Sequence, residues 1–196
     1  MNLATLPANV TEDANSATTE LDVVIEIPAQ SPPVKYEADK ATGLLRVDRI
    51  LPTGMRYPCS YGFVPGTHAK DGDPIDALVL APFPLAPLSV IRCRLLGMLR
   101  MTDEHGSDAK LLTVPTDNVS PAQQHYRQLP DLPASELEAI AFFFEHYKKL
   151  EPGKWVRIEG WAGYEEAVAE LREAMSDGLE RIKCDVVAVT TSPPPG

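Results

Sequence analysis

Short β-type runs separated by turn-forming residues follow one another along the chain as far as residue 114, and they limit its possible folds more than any other feature. The runs either are rich in β-branched residues or alternate apolar and polar residues. They cover residues 21–27, 34–37, 44–50, 75–80, 90–100, 110–114 and, after a gap, 155–160. The nineteen prolines concentrate between the runs, where a missing N–H breaks no ladder hydrogen bond. This close spacing predicts a compact antiparallel barrel and disfavours alternating βαβ units.

Two amphipathic helices are predicted in the second half of the chain, at residues 134–150 and 164–181, because apolar residues recur there at the i, i+3, i+4 spacing. Each helix should pack one face on the barrel. The first helix carries Lys148 on the extension of its own apolar stripe. That lysine either points inward to bind an anion or covers apolar surface with its stem while its ammonium group reaches water. The sequence therefore predicts an α+β, mainly β fold with two main flanking helices.

A length of 196 residues is typical of one domain. The first twenty residues show no periodicity, and the last residues are too rich in proline to continue a helix or sheet. We therefore expect a flexible N-terminal tail at residues 1–20, a single barrel domain at residues 21–185 and a C-terminal tail at residues 186–196.

The charge balance of the chain is acidic, with 18 Lys and Arg against 28 Asp and Glu and a formal net charge of −10. Nonspecific nucleic-acid binding is not expected, because that affinity comes mainly from basic residues that neutralise phosphates. No apolar run approaches the roughly 18–20 residues that cross a bilayer, so we expect no membrane association. The first twenty residues contain no Lys or Arg, unlike a secretory signal. Three cysteines without CxxC spacing predict reduced thiols and a cytoplasmic location.

The acidic segment DGDPID holds Asp71, Asp73 and Asp76 on one tight loop. Two carboxylates about 5 Å apart repel by roughly 3 kcal/mol at an effective dielectric constant near 20. Three of them therefore need a cation, a shared proton or full solvation. A calcium-binding EF-hand loop is excluded, because its fifth and twelfth positions would hold Ile75 and Pro82. A solvated acidic turn remains the alternative to a cation site.

A second acidic loop lies between two predicted strands, where Asp103, Glu104 and Asp108 surround Gly106. The loop has the length of a hairpin connection. If Asp71, Asp76, Asp103 and Asp108 converge at one end of the barrel, they form an all-oxygen site that suits Mg²⁺ or Mn²⁺ better than zinc. Hard cations of this kind indicate phosphate chemistry.

Cationic and phenolic side chains supply the third group of candidates. Lys35 and Glu37 share one face of their strand, Arg49 ends the next strand, and Tyr57 and Tyr61 flank a short turn. Surface ion pairs and core packing are the alternative interpretations. Together with Lys110 and Lys148, however, these groups would give an oligophosphate the positive donors that it needs opposite its cations.

The order of these motifs resembles the family I soluble inorganic pyrophosphatases of bacterial type. The resemblance rests on VVIEIP at 23–28, KYE at 35–37, VDR at 47–49, YPCSYG at 57–62, DGDPID at 71–76, MTDE at 101–104, DAK at 108–110, FEHYK at 144–148 and GKWV at 153–156. It implies a five-stranded OB-like barrel that hydrolyses diphosphate to two orthophosphates by metal-activated water. It further implies Mg²⁺ as the cofactor, several ions to a site, with Mn²⁺ or Zn²⁺ as substitutes, and a cytoplasmic homohexamer.

The resemblance also implies a role for each matched position. Asp73 corresponds to the general base and Tyr57 to a residue that orients other site groups. Metal ligands are implied at Asp71, Asp76, Asp103, Asp108, Glu37 and Glu26, the two glutamates acting as outer or water-mediated ligands. Phosphate-binding groups are implied at Lys35, Arg49, Tyr61, Lys110, Tyr147 and Lys148.

Two other function classes are compatible with parts of the pattern. A barrel alone would suit a non-enzymatic OB-type nucleic-acid module, but the chain lacks a basic groove with interleaved aromatic residues. The acidic loops alone would suit a divalent-cation binder without catalysis. Hydrolysis of diphosphate would separate the enzyme from both alternatives.

Overall fold

The structure is a computed structural model that describes residues 3, 6–13, 18–70 and 72–176. Its strands are β1 (Val10–Asp13), β2 (Thr18–Ile27), β3 (Val34–Ala38), β4 (Leu45–Ile50), β5 (Ser60–Phe63), β6 (Asp76–Val79), β7 (Val90–Asp103), β8 (Gly106–Pro115) and β9 (Val156–Ala162). Its α-helices are α1 (Ala134–His146) and α2, which is described over residues 164–176. The predicted C-terminal tail, the end of the second predicted helix and Cys184 lie outside the described residues.

Five strands close into a ring in the order β2–β5–β6–β8–β7, and a second pairing of β2 with β7 completes it. Strand β2 can serve both neighbours because residues 20–24 pair with β7 while residues 24–27 pair with β5. Strands β1 and β9 extend the sheet beyond the ring, and β3 and β4 form a separate hairpin. The predicted five-stranded barrel is therefore confirmed.

The barrel is not wholly antiparallel, which corrects the prediction from the sequence. Strand β6 pairs with β8 in parallel, and this register places Asp76 opposite Lys110. The cause is the β7–β8 hairpin, in which Asp103 pairs with Gly106 across a two-residue turn. Because β2 occupies the other edge of β7, β8 closes the ring against β6 and runs in the same direction as β6.

The two helices pack on different parts of the barrel. Buried residues of α2, including Val168 and Leu171, join a cluster with the strand residues Leu21 and Val79. Helix α1 joins a second cluster, whose α1 members are Ile140, Phe143 and Phe144 and whose barrel members include Ile27, Leu78, Leu96, Leu99 and Leu112. Removal of these apolar faces from water stabilises the packing of both helices on the barrel.

Helix α1 ends at His146, four residues before the predicted end. The following backbone tightens into i to i−3 hydrogen bonds, from Lys149 N to the carbonyl of His146 and from Glu151 N to the carbonyl of Lys148, both at 3.0 Å. This turn directs Lys148 toward the barrel end, and the residue is only 4% exposed. Lys148 therefore points inward and does not reach water with its ammonium group, while its binding of an anion stays a prediction.

Part of the segment predicted as an N-terminal tail forms a strand instead. Strand β1 pairs with the start of β2, with Val10 opposite Leu21 and Asp13 opposite Thr18. Arg92 on β7 donates a 2.6 Å hydrogen bond to the carbonyl of Asn9. Val10 is the one apolar residue of this strand, so no alternation of apolar and polar residues marks it in the sequence. The predicted boundary at residue 185 stays a prediction.

Strand β5 was not among the predicted runs. It lies so close to the backbone of β2 that it needs a glycine at position 62. A Cβ on Gly62 would lie 1.9 Å from the carbonyl oxygen of Val24 and 2.9 Å from Cα of Ile25. Both atoms belong to the backbone of β2, so they cannot move without opening the barrel.

We therefore expect Gly62→Ala to lower the free energy of unfolding by about 3 kcal/mol, at the upper end of overpacking effects. Chemical denaturation measures the change. Gly163→Ala is the matched control, since a Cβ there meets nothing within 4 Å; its effect should stay below about 1 kcal/mol. Equal stability of the two variants would contradict the close approach of β2 and β5.

Among the described residues, none of the helices combines the length and the apolar character that crossing a bilayer requires.

Candidate active site

A cavity of about 380 Å³ opens at one end of the barrel, where β2, β6, β7 and β8 present charged side chains beside the β3–β4 hairpin. Its lining includes all of the predicted site residues except Asp71 and Tyr57: Glu26, Lys35, Glu37, Arg49, Tyr61, Asp73, Asp76, Asp103, Asp108, Lys110, Tyr147 and Lys148. Asp71 lies outside the described residues. The two separate acidic loops of the sequence therefore meet in one place, as the prediction of a shared site requires.

Lys110 stands between the two acidic loops. Its Nζ lies 2.6 Å from Oδ2 of Asp76 and 3.0 Å from both carboxylate oxygens of Asp108. Lys110 is buried, with 3% of its surface exposed. Burial alone would lower the pKa of Lys110, but the charges of Asp108 and Asp76 raise it well above its usual value. The ammonium group therefore stays charged.

Burial also raises the pKa of Asp108, and the neighbouring Asp76 adds to that rise while Lys110 opposes it. The single ammonium group of Lys110 faces two carboxylates, so it cannot balance the charge of both when they are ionised. A further cation would stabilise their ionised forms.

Lys148 reaches the tip of the β7–β8 hairpin from the end of α1. Its Nζ lies 2.7 Å from Oδ2 of Asp103 and 3.2 Å from Oε2 of Glu104. Burial would raise the pKa of Asp103, but hydrogen bonds from Lys148 and from the backbone of His105 lower it below its usual value. Lys148 is therefore a second cation held among the carboxylates.

The β3–β4 hairpin brings a third group of charges to the cavity. Lys35 pairs with Glu37 on the same strand face, as predicted, and lies 3.2 Å from Asp48. Nη1 of Arg49 lies 3.0 Å from Asp48, and its Nε lies 3.2 Å from Oε1 of Glu151. The hairpin thus orients one lysine and one arginine toward the opening.

Glu26 lies at the end of β2 and is 4% exposed. Its Oε1 accepts hydrogen bonds from the backbone N–H of Ala38 at 2.7 Å and from Lys40 at 3.1 Å. Lys40 also sits 4.1 Å from the centre of the Phe63 ring. Burial raises the pKa of Glu26, although Lys40 opposes the rise.

Two tyrosines belong to the aromatic cluster behind the charged groups. The Tyr57 ring packs 4.6 Å from Phe143 and 5.5 Å from Tyr61, so it lies behind the cavity wall. Burial raises the pKa of both tyrosines well above the usual value. Their phenol groups therefore remain hydrogen-bond donors at neutral pH.

Asp73 is exposed and lines the cavity. The backbone N–H of Ala69 donates a 2.7 Å hydrogen bond to the carbonyl of Asp73, and Gly72 donates one of 2.9 Å to the carbonyl of Ala69. These bonds, with the positive φ of 95° at Gly72, shape the loop that carries Asp73.

The donor set of this cavity fits hard divalent cations. In the described part of the chain, no group of three or more His, Cys, Asp or Glu side chains is arranged so that it could hold a metal ion as it stands. Lysines lie between the carboxylates instead. All of the acidic groups nevertheless offer oxygen atoms, which Mg²⁺ prefers.

Several lining residues were not among the predicted site residues, namely Lys40, Glu104, His105 and Lys154. Lys154 belongs to the GKWV motif and Glu104 to the MTDE motif, so both carried a sequence signal. Lys40 follows the β3 strand without a motif, and only the fold brings it to Glu26.

Comparisons with known proteins identify the family of the chain. The family model for inorganic pyrophosphatase matches residues 23–178. The chain is 59% identical over 158 residues to an inorganic pyrophosphatase of Ralstonia nicotianae, covering 81% of this chain and 90% of that relative. It is 54% identical over 152 residues to an inorganic pyrophosphatase of Escherichia coli strain K12, covering 78% of this chain and 86% of that relative.

A crystal structure of inorganic pyrophosphatase from Thermus thermophilus has a TM-score of 0.82 and 39% identity, covering 91% of this chain and 99% of that one. That likeness confirms the OB-like barrel. The chain therefore belongs to the inorganic pyrophosphatase family.

Proposed function

We propose that this protein hydrolyses inorganic diphosphate to two orthophosphates with Mg²⁺ as its cofactor. The observation that carries the proposal is the cavity at the barrel end, where buried lysines and a surplus of carboxylates lie together. Lysines alone would suit a phosphate-binding protein. Carboxylates at the same place would repel diphosphate unless cations stood between them, so the mixture favours a site for a metal–diphosphate complex.

The residues divide into three roles in this proposal. Asp76, Asp103 and Asp108, with Asp71 from the same DGDPID loop, would hold the cations, and Glu26 and Glu37 would contact them through water. Divalent cations held there would neutralise the diphosphate and lower the pKa of water. Lys35, Arg49, Tyr61, Lys110, Tyr147 and Lys148 would bind the phosphate oxygens.

Asp73 takes the proton in the proposed reaction. As the oxygen of a water molecule bonds to one phosphorus atom, Asp73 accepts a proton from that water, and the bridging P–O bond breaks to release the second orthophosphate. Lysine and arginine side chains donate hydrogen bonds to the departing phosphate and stabilise the charge that develops on it. Tyr57 supports the neighbouring Tyr61 ring, to which it packs at 5.5 Å.

Orthophosphate release from diphosphate tests the function directly. We expect orthophosphate release with Mg²⁺. EDTA should lower the rate of release by about a thousandfold or more, because bound cations supply several kcal/mol of charge stabilisation in the transition state. Excess Mg²⁺ should restore the rate, and fluoride should inhibit it. Calorimetric uptake of Mg²⁺ without any hydrolysis would instead indicate a cation binder. Salt-dependent binding of single-stranded nucleic acid would indicate the nucleic-acid module.

The resemblance also implies a cytoplasmic homohexamer and use of Mn²⁺ or Zn²⁺ in place of Mg²⁺. These points stay predictions.

A further inference from the structure

Glu104 occupies the two-residue turn between β7 and β8 and joins three separate segments of the chain. Its Oε1 lies 3.0 Å from Nζ of Lys154 and 3.3 Å from Nζ of Lys148. Its Oε2 lies 3.2 Å from Nζ of Lys148 and accepts a 3.4 Å hydrogen bond from the backbone N–H of Trp155. One carboxylate thus links the hairpin tip, the end of α1 and the loop before β9.

The side chain of Glu104 is 17% exposed, and the three residues Glu104, Lys148 and Lys154 all line the cavity. The carboxylate of Glu104 thus contacts both ammonium groups.

A lysine side chain loses much rotamer freedom when its ammonium group is fixed. If the lysine is already fixed before the ligand arrives, binding of the ligand is not weakened by this loss of side-chain entropy. Each ammonium group has three hydrogens, so Lys148 and Lys154 can keep their contact with Glu104 and still donate to a phosphate oxygen.

We propose that Glu104 is a positioning residue, which holds Lys148 and Lys154 on the same side of the cavity, and that Lys154 is a further diphosphate-binding residue. This inference rests on the proposed diphosphatase function.

The sign of the effect separates positioning from simple electrostatics. Removal of a negative charge beside a site for a polyanion strengthens binding when only the net charge counts. Positioning predicts the opposite, because the two lysines lose their common anchor.

The experiment compares Glu104→Gln, Lys154→Gln and the double variant with the full-length wild-type chain. It measures kcat and KM for magnesium diphosphate, the Kd of methylenediphosphonate, and Mg²⁺ binding without diphosphate. We expect each single variant to raise KM and Kd about tenfold, as the loss of one charge-assisted hydrogen bond does, while kcat changes less than about threefold. The double variant should be scarcely weaker than either single variant, because both substitutions disrupt the same contact.

Glu166→Gln is the matched control, since Glu166 pairs with Arg100 and has an exposed side chain away from the cavity. It should leave every measured constant unchanged. Unfolding temperatures of all variants separate loss of positioning from loss of fold.

Four outcomes would overturn the inference: an unchanged KM, a KM that falls in Glu104→Gln, single effects that multiply in the double variant, or Mg²⁺ binding that weakens about tenfold in Glu104→Gln. The last would make Glu104 a metal ligand. A wild-type chain that releases no orthophosphate would refute the proposed function itself, a result distinct from all four.

Discussion

Asp73→Asn should lower kcat for magnesium diphosphate by about 10²- to 10⁴-fold, the range that a general base contributes. The amide cannot accept the proton of the attacking water at neutral pH, whereas its size and its place on the loop are preserved. Asp73 is exposed in the cavity and its loop is held by backbone hydrogen bonds, so the substitution should not disturb the barrel.

Steady-state kinetics and Mg²⁺ calorimetry together check this expectation. Asp76→Asn is the contrasting variant, because Asp76 contacts Lys110 directly and is proposed to hold a cation. Asp76→Asn should weaken Mg²⁺ binding. Asp73→Asn should leave the Kd of Mg²⁺ within about threefold of the wild-type value, a smaller change than the loss of one charge-assisted hydrogen bond would cause. A wild-type rate for Asp73→Asn would show that another group takes the proton.

Lys110→Met should lower the free energy of unfolding by about 3–5 kcal/mol in the presence of a chelator, as removal of one partner of a buried ion pair does. Lys110 is 3% exposed and its ammonium group contacts both Asp76 and Asp108. Methionine fills a similar volume but leaves the two carboxylates to repel each other. Denaturant unfolding in EDTA measures the loss.

Mg²⁺ should return more stability to Lys110→Met than it adds to the wild type, because the lysine no longer competes for the carboxylates. Ligand present at about a hundred times its Kd stabilises by about 2.7 kcal/mol. Lys70→Met is the matched control, since the Lys70 side chain is 54% exposed and its nearest carboxylate oxygen lies 3.8 Å away. It should change stability by less than about 0.5 kcal/mol. Equal stability of Lys110→Met and the wild type in EDTA would mean that Lys110 does not stabilise this end of the barrel.

The ion pairs of the cavity indicate how cations and diphosphate share it. Lys110 and Lys148 neutralise part of the carboxylate charge in the structure. A cation that binds Asp76, Asp103 or Asp108 must therefore displace or share contacts with a lysine. A lysine released in this way is available to a phosphate oxygen, so cation binding and diphosphate binding should support each other.

Most strands could be predicted because alternation and β-branched residues are local properties. Strand β5 was missed, since Pro58 and Cys59 lead into it directly and resemble a turn. Strand β1 was missed because it has one apolar residue, Val10, and because Arg92 contacts Asn9 and Thr11 from a distant part of the chain. The parallel β6–β8 pair was also missed, because strand direction depends on how the ring closes.

The candidate site was more predictable than the topology. Its residues occur in short motifs, and each motif carries a charge pattern that costs free energy unless a ligand or a counter-ion is present. What each carboxylate contacts could not be predicted in the same way. The Glu104 contacts with Lys148 and Lys154 bring together residues separated in the chain by more than forty positions.

The sequence by itself determined which side chains carry charge and in what order, and thereby the barrel class, the two helices and the family. Only the tertiary structure decided that Lys110 lies between Asp76 and Asp108, although Asp76 is 34 positions away in the chain. That contact exists because the parallel register of β6 and β8 sets Asp76 opposite Lys110. Register is set by burial around the whole ring, which no local pattern of residues contains.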